Sequence, residues 1–161
     1  MAMEKTALID LLRQKFPREV KEAKVDLGDE VVVIEKEALL PVVKFLYGKP
    51  FAYTLLLDLT CVDYLGQEPR FEMVYHLLSL SLNKRLRLKT RLSEKDLRIA
   101  SLTELWKNAN WLEREVFDLF GVRFDGHPDL RRIFMYDGFE GYPLRKDYPL
   151  RQRQPRIRLR E

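Results

Sequence analysis

The last third of the chain constrains its fold more than any other part. Residues 111–150 read WLEREVFDLFGVRFDGHPDLRRIFMYDGFEGYPLRKDYPL, which begins as a helix and then continues for about thirty residues without clear hydrophobic periodicity. A structureless stretch of this length is uncommon in a small domain, and it is usually either functional or disordered. Aromatic and aliphatic side chains are too frequent here for a disordered linker. We therefore expect residues 122–150 to form an ordered, extended segment that packs on its own domain or on a partner.

Length and composition indicate one soluble domain. The 161 residues can bury enough surface to fold without disulfide bonds or metal ions. The single cysteine, Cys61, cannot form an intramolecular disulfide, which indicates a reducing compartment. No apolar run approaches the ~18 residues of a membrane span, and Glu4 and Asp10 exclude a signal peptide at the start. We expect a protein of the cytoplasm or of the cytoplasmic face of a membrane.

The positive charge of the chain is concentrated at its end. Residues 151–161 contain five arginines and one glutamate, whereas the preceding 150 residues contain 24 basic and 24 acidic side chains. The net charge of +4 therefore belongs to a basic tail at 151–161, and the pI gives little support for a domain that binds nucleic acid. We expect the tail to be mobile in the isolated protein and to bind an acidic neighbour in a complex.

Helical and strand patterns precede the long segment and lie at its start. Helical spacing of apolar residues predicts helices at 4–16 and 36–47, which end at Pro17 and Gly48. The nearly continuous apolar run 51–62 predicts a central strand that is buried on both faces. The other predicted elements are strands at 30–34, 71–80 and 84–92, a hairpin turn at Asn83–Lys84, a helical turn at 102–107, and a helix from Trp111 that Gly121 closes.

Charged residues in two of the strands have structural explanations. Asp58 interrupts an apolar run, and a buried Asp–Arg pair explains it better than an active-site acid. Asp63 is expected at the end of the same strand, where it accepts hydrogen bonds of the turn. The strand 84–92 carries a face of Lys and Arg, which usually protects an edge strand from pairing with another chain. Contact of this face with an acidic partner or RNA is the alternative.

The helix that begins at Trp111 carries charged residues for which we also favour structural roles. Asn110 is the predicted N-cap, and Glu113 is its capping-box partner. Arg114 and Asp118 have the i,i+4 spacing of an ion pair. Glu113 and Glu115 cannot share a proton or a metal ion, because positions two residues apart on a helix point about 200° from each other.

Residues for cofactor or nucleophile chemistry are scarce. His76 and His127 are the only histidines, and no Cys/His spacing supplies the three or four ligands of a zinc or iron site. The sequence contains no Gly-x-Gly-x-x-Gly, no Walker-type loop and no Cys-x-x-Cys. Cys61 lies in a predicted buried strand, where thiols are usually inert. We expect this chain to hold no metal, phosphate-bearing cofactor or iron–sulfur cluster.

Four runs in the last third occur in a specific order. They are ERE at 113–115, DLFG at 118–121, GHPDLRRI at 126–133 and EGYPLRKDYPL at 140–150. Together they closely resemble the thirty-kilodalton-type subunit of respiratory complex I, the NADH–quinone oxidoreductase. A weaker resemblance covers LLLDLTCVDY and FEMVYHLLSL, the two strands that precede. The resemblance implies an α+β fold, with a single two-layer domain, a mixed sheet and helices on one face, followed by an extended C-terminal segment.

The resemblance also implies a function. Members of this family are cofactor-free subunits of the hydrophilic arm, whereas FMN and iron–sulfur clusters are expected in other subunits of the complex. They pack beside the large quinone-site subunit and the iron–sulfur subunits. They support electron transfer from NADH to quinone, which is coupled to ion translocation. The chain would contact the membrane only through the complex, would bind no nucleic acid directly, and would have no catalytic site of its own.

These implications divide the chain into a domain at 1–121, a docking segment at 122–150 that belongs to it, and the basic tail. Tyr142 stands where the family often has His. Alternatives are the equivalent subunit of a membrane-bound hydrogenase-type complex, and a nucleic-acid-binding module built on strand 84–91 and the tail; a free-standing enzyme lacks a credible site. Structural roles are predicted for Asn110, Glu113, Arg114, Asp118 and Gly121. The predicted partner interface consists of His127, Pro128, Arg131, Arg132, Tyr142, Arg145, Lys146 and Asp147.

Overall fold

A computed structural model describes residues 7–151 and 153–155 of the chain. Most of the basic tail, and the predicted helical residues 4–6, lie outside the described residues. In the described part, no helix is long and apolar enough to cross a membrane. The helices are α1 (Ala7–Lys15), α2 (Leu39–Tyr47) and α3 (Ala109–Phe120), and the strands are β1 (Val20–Asp26), β2 (Asp29–Ile34), β3 (Leu55–Asp63), β4 (Phe71–Ser79), β5 (Lys84–Leu92), β6 (Arg98–Ala100) and β7 (Arg123–Asp125).

Five strands form a mixed sheet in the order β1-β2-β5-β4-β3, in which only β2 and β5 run parallel. The apolar sides of α1, α2 and α3 join alternate residues of these strands in one buried cluster. In α2 these are Leu39, Val42, Val43 and Leu46, whose helical spacing places them on one side. The predicted α+β fold with a mixed sheet in a single domain is confirmed.

The prediction that the apolar run 51–62 is a central, doubly buried strand is wrong. The strand β3 begins only at Leu55, lies at an edge of the sheet and carries an irregularity between Leu56 and Asp58. Because of this irregularity, Leu57 and Asp58 are both exposed. Its neighbour β4 has a strand on each side and is more completely buried than β3.

The edge of β3 does not remain free. The indole Nε1 of Trp106 donates to the carbonyl of Thr54 at 3.0 Å, and the amide of Asn108 donates to the carbonyl of Leu56 at 2.8 Å. These side chains lie immediately before α3 and in the turn that precedes it, so they bind the edge strand to the helix. An edge whose carbonyls are already bonded offers less to a pairing strand of another chain.

The basic strand β5 is not an edge strand, so the prediction that its Lys and Arg face protects a sheet edge is wrong. It lies between β2 and β4, and its cations meet carboxylates of neighbouring strands. The Nζ of Lys89 is 2.8 Å from the carboxylate of Glu72, and the Nε of Arg91 is 3.5 Å from it. Arg87 lies 3.9 Å from Asp29. Cross-strand charge pairing therefore explains the basic face, and it leaves fewer free cations for RNA.

Some local predictions match the structure and others miss an element. The helix at 36–47 divides into a 3-10 turn at Lys36–Ala38 and then α2. Asn83 occupies the hairpin turn with φ 50°. The strand β1 was not predicted, because its residues are mostly exposed and lack an apolar alternation. Its hairpin to β2 turns at Leu27 and Gly28, which both have positive φ. A glycine at such a position is typical of a tight hairpin turn.

The long segment contains one short regular element. Strand β7 pairs in parallel with β6, and residues 126–150 then follow an irregular path without helix or strand. Such a path must satisfy its backbone groups and charges by side-chain contacts rather than by a ladder of its own.

Candidate functional site: a C-terminal segment anchored by buried charges

A buried ion pair at the end of the sheet is the first anchor of the long segment. Asp63 is the last residue of β3, and Arg70 immediately precedes β4. The Nε and Nη2 atoms of Arg70 each lie 2.8 Å from an oxygen of Asp63, and the two side chains are 5% and 2% exposed. This is the two-pronged geometry that matches a guanidinium to a carboxylate. The predicted position of Asp63 is correct, but the buried Asp–Arg pair forms here and not at Asp58, which is exposed.

The long segment adds a second carboxylate to this pair. Nη1 and Nη2 of Arg70 donate to Asp147 at 3.0 and 2.8 Å, and Nη1 also donates to Glu94 at 2.9 Å. The backbone N–H of Lys146 donates to Asp63 at 2.8 Å. We call these four side chains, of Asp63, Arg70, Glu94 and Asp147, the Arg70 cluster. Hydrogen bonds from Arg70 are the main cause that lowers the pKa of Asp63 and of Asp147.

Arg145 fastens the same segment to the end of α3. Its Nε donates to the carbonyl of Phe120 at 2.6 Å, and its guanidinium lies 4.6 Å from the ring centre of Tyr142. The backbone N–H of Leu144 donates to the carbonyl of Leu119 at 3.1 Å. The last carbonyls of a helix have no partner within it, so the segment satisfies two carbonyls of α3.

Gly121 allows this close approach. It ends α3 as predicted, with φ 81° and an N–H donated to the carbonyl of Phe117 at 2.9 Å. A Cβ at this position would lie 2.6 Å from the ring of Tyr142 and 2.8 Å from a guanidinium nitrogen of Arg145. A side chain would therefore be both strained and in the way of the segment.

The carboxylate of Asp118 is a second anchor, and it has no exposed surface. Its Oδ2 accepts the backbone N–H groups of Ile133, Phe134 and Met135 at 3.0, 2.7 and 2.9 Å. Its Oδ1 lies 3.2 Å from Nη1 of Arg132. A carboxylate that accepts several N–H groups holds an irregular loop without any ladder.

The predicted i,i+4 pair of Arg114 with Asp118 is therefore wrong. The Nε of Arg114 donates to the carbonyl of Arg131 at 3.1 Å, and its Nη2 donates to the carbonyl of Arg132 at 3.4 Å. Both residues face the loop and not each other, because the loop supplies buried backbone donors and acceptors that need partners.

The predicted capping box at the start of α3 is also wrong. The helix begins at Ala109, so Asn110 lies inside it, and no side chain caps its first residues. Glu113 is fully buried and accepts the N–H of Leu102 at 2.6 Å and the hydroxyl of Ser101 at 2.7 Å. It binds α3 to the preceding loop. Burial raises the pKa of Glu113 to about 7, although both hydrogen bonds oppose this rise.

Histidine and cysteine have structural surroundings. The Nδ1 of His127 accepts the N–H of Asp129 at 3.0 Å, so its Nε2–H donates to the carbonyl of Asn110 at 3.1 Å. Cys61 is buried, and burial followed by the charge of Asp63 raises the pKa of its thiol to about 12. Across residues 7–151 and 153–155, no three His, Cys, Asp or Glu side chains are placed to hold a metal ion.

The eight predicted interface residues thus lie along one segment but have different surroundings. Arg145 and Asp147 contact the domain itself, and Arg132 contacts Asp118 as well as the carbonyl of Gly141. The side chain of Arg131 is 72% exposed, and its ion pair among the described residues is with exposed Asp129. Sequence reasoning missed Arg70 and Glu94. The available signal was Arg70, an isolated cation directly before the most apolar strand.

The sequence from 32 to 154 matches the family model of the respiratory-chain NADH dehydrogenase 30 Kd subunit. The chain belongs to this family. All four runs that carried the resemblance contain residues of the anchors described above, among them Glu113, Asp118, Arg132 and Asp147. In this chain, residues of the runs that carry the family resemblance therefore hold the last segment in place.

Relatives of the 30 Kd subunit family match over most of their own length. The chain is 50% identical to the C-type subunit of NADH-quinone oxidoreductase from Trichlorobacter lovleyi over 143 residues, which covers 88% of both proteins. It is 46% identical to the corresponding C-type subunit from Geotalea uraniireducens, with 93% of this chain and 90% of that protein covered.

Solved structures agree with this family assignment. A trypsin-resistant fragment of Nqo5 superposes with a TM-score of 0.69 at 33% identity, covering 81% of this chain and all of the fragment. The structure of a membrane-bound sulfane sulfur reductase, an archaeal respiratory membrane complex, contains a chain with a TM-score of 0.74 at 26% identity. That match covers 89% of this chain and 85% of the other.

Substitution of Gly121 should release the segment. Gly121→Ala adds a methyl group that meets Tyr142 and Arg145, whereas Gly126→Ala is a matched control with φ 85° and no described atom within 4 Å of its Cβ. Both variants carry the strain of positive φ, about 1–2 kcal/mol. We expect only Gly121→Ala to speed hydrogen exchange at 142–148 and tryptic cleavage after Arg145. Equal effects of both variants would refute the close-packing explanation.

Glu113 should make stability depend on pH. The folded protein keeps this proton up to about pH 7, whereas the unfolded chain releases it near 4.5. The free energy of unfolding should therefore fall as the pH rises from 4.5 to about 7, by roughly 3 kcal/mol. Asp63 and Asp147 affect stability in a different pH range. The stability that comes from their lowered pKa values is lost only as the pH falls below 3.8.

The test compares Glu113→Gln with the wild type by urea unfolding between about pH 5 and 8. The isosteric amide cannot titrate, so this variant should lose most of the decline with pH. Glu115→Gln, two residues along the same helix, is the matched control and should keep it. A wild-type free energy that stays constant or rises over this range would contradict the assignment.

Proposed function

We propose that this chain is a structural and assembly subunit, of the thirty-kilodalton type, in the hydrophilic arm of an NADH–quinone oxidoreductase. It packs beside the quinone-site subunit and the iron–sulfur subunits, on the cytoplasmic side of the cell membrane, and supports electron transfer to quinone from within the complex. The single observation that carries this proposal is the way buried charges of the domain hold an irregular, 30 Kd-family segment in one fixed path. A segment whose backbone is held in one path by buried charges presents a preformed surface to a partner.

The chemistry of the site supports a structural role. The carboxyl of Glu113, whose pKa burial raises toward neutrality, has no exposed surface and accepts hydrogen bonds from Ser101 and Leu102. The thiol of Cys61 is buried. A general acid or nucleophile needs contact with a substrate, and neither group offers it.

The surface of the segment supports docking. Phe134 is 60% exposed and Leu144 is 52% exposed, and exposed Arg131 lies close to Phe134 in the sequence. Exposed aromatic and arginine side chains are enriched at protein interfaces. The backbone beneath them is held by Asp118 and by the Arg70 cluster, so these side chains bind a partner without the entropy cost of ordering a loop.

The likeness to the sulfane sulfur reductase complex supports a second candidate of the same class. In this second candidate function, the chain is the equivalent subunit of a membrane-bound hydrogenase-type complex. The subunits that co-purify with a tagged chain separate the two candidates: a flavin-containing NADH-oxidising subunit supports the first, and its absence with a different electron donor supports the second. Salt-dependent binding to DNA or RNA would instead support a nucleic-acid module.

The isolated chain should carry no cofactor. Elemental analysis and an absorption spectrum of the purified subunit check this, with the purified complex as a positive control for iron and flavin. Stoichiometric iron or flavin in the isolated subunit would refute the cofactor-free proposal, although not membership of the complex.

Loss of the anchors should lower assembly and not chemistry. Asp147→Ala removes one of the three carboxylates that bond to buried Arg70. The Asp147 side chain is 48% exposed, so the loss should lie below the about 3–5 kcal/mol of a fully buried pair. Arg145→Ala removes the contact with Phe120. We expect less assembled complex in membranes from both variants, with near-normal quinone reduction per assembled complex. Arg98→Ala, which breaks an exposed pair with Asp125, is the control and should assemble normally. Full assembly combined with lost quinone reduction would mean that these residues act in the chemistry.

A further inference from the structure

A groove lies between the exposed side of α3 and the loop that Asp118 holds. It has a volume of about 410 Å³, and its walls include Trp111 and Arg114 of the helix and Arg131, Arg132 and Tyr136 of the loop. We call it the Trp111 groove. Arg114 and Arg132 thus line the groove and also bond to the loop or to Asp118.

Arg114 in this groove is a buried cation without a counter-ion. Only 7% of the residue is exposed, and its two hydrogen bonds go to backbone carbonyls. Arg131 and Arg132 have their own carboxylates, in Asp129 and Asp118. Within residues 7–151 and 153–155, no carboxylate forms an ion pair with Arg114, and this includes Asp137, which also lines the groove. A desolvated guanidinium with spare donors has a strong affinity for an anion.

Trp111 gives the groove an apolar wall. The residue is 63% exposed, and its ring centre lies 4.9 Å from the guanidinium carbon of Arg114. Exposed tryptophan is uncommon on a free surface, and Trp and Arg together are the residues most enriched in interface hot spots. The ring and the cation thus form one composite surface, apolar at one end and positively charged at the other.

We propose that the Trp111 groove binds an acidic side chain of a neighbouring subunit, with an apolar side chain next to it in that subunit's sequence. The partner carboxylate pairs with Arg114, and the apolar neighbour covers the indole of Trp111. This inference rests on the proposed function, since it names the chemistry by which one partner is held. Charge complementarity with Arg114 selects an anion. The indole of Trp111 selects an apolar group beside that anion, and a protein carboxylate with an apolar neighbour supplies both.

A photo-crosslinker tests which partner fills the groove. Benzoylphenylalanine in place of Trp111 is incorporated into the chain, the whole complex is purified, and irradiation is followed by peptide mass spectrometry. We expect a crosslinked peptide from another subunit that carries Asp or Glu beside an apolar residue. Crosslinks to lipid or to nucleic acid, a peptide without a carboxylate, or no crosslink in a fully assembled complex would each overturn the proposal.

Substitutions of opposite charge test the pairing itself. Trp111→Glu and Trp111→Lys both remove the indole, but only the glutamate repels a partner carboxylate and, three residues before Arg114, pairs with that guanidinium within the helix. Each variant is co-expressed with the wild type, and the ratio of the two chains in the purified complex is compared with the ratio in the free pool. We expect Trp111→Glu to be incorporated about tenfold less than the wild type, and Trp111→Lys to lose clearly less.

The matched controls are Leu80→Glu and Leu80→Lys, at a residue that is 67% exposed in the turn between β4 and β5. Neither should change incorporation, and urea unfolding of the free Trp111 variants should match the wild type. Equal loss for Trp111→Glu and Trp111→Lys, or no loss for either, would overturn the proposal. If the wild-type chain itself fails to recover a complex, the proposed function fails; if it recovers the complex while the groove tests fail, only this inference does.

Discussion

The guanidinium of Arg70 is the interaction on which the rest of the structure depends. It is buried at the end of the sheet, where an unpaired charge would cost several kcal/mol. Its donors are taken by Asp63 from the same strand pair, by Glu94 beyond β5 and by Asp147 from the long segment. One cation thus joins three parts of the chain that are distant in sequence, and removing any one of the three carboxylates takes away an acceptor of Arg70 and one of these connections.

Helix α3 is likewise joined to other parts of the chain by buried charges, which here are carboxylates. Asp118 and Glu113 lie about 140° apart around the helix, so one holds the loop that follows and the other holds the loop that precedes. Both are fully buried, yet Asp118 has an arginine and three backbone N–H groups, whereas Glu113 has no cation among the described residues. With no described cation beside Glu113 to oppose it, burial raises the pKa of this carboxyl to about 7.

The sequence was sufficient for the fold class, most elements and the family, because periodicity and an ordered set of motifs are local properties. It failed where the outcome depends on long-range contacts. The run around Leu57 is as apolar as a central strand, but an irregularity and the helix beside it determine that it is an edge. Arg114 and Asp118 have the spacing of a pair, but the loop at 131–135 offers both better-placed partners. Predictions of Asn110 and Glu113 as caps failed in the same way.

The separation between partners in the Arg70 cluster governs the order of folding. Arg70 and Asp147 are 77 residues apart, and Lys146 and Asp63 are 83 residues apart. During synthesis strands β1 to β5 leave the ribosome before Asp147 does, so the contacts of the segment with the Arg70–Asp63 pair can form only after those strands have emerged. Until then the Arg70–Asp63 pair is incompletely covered. The fixed path of residues 126–150, and the surface it presents, therefore form only after the chain has been synthesised past Asp147.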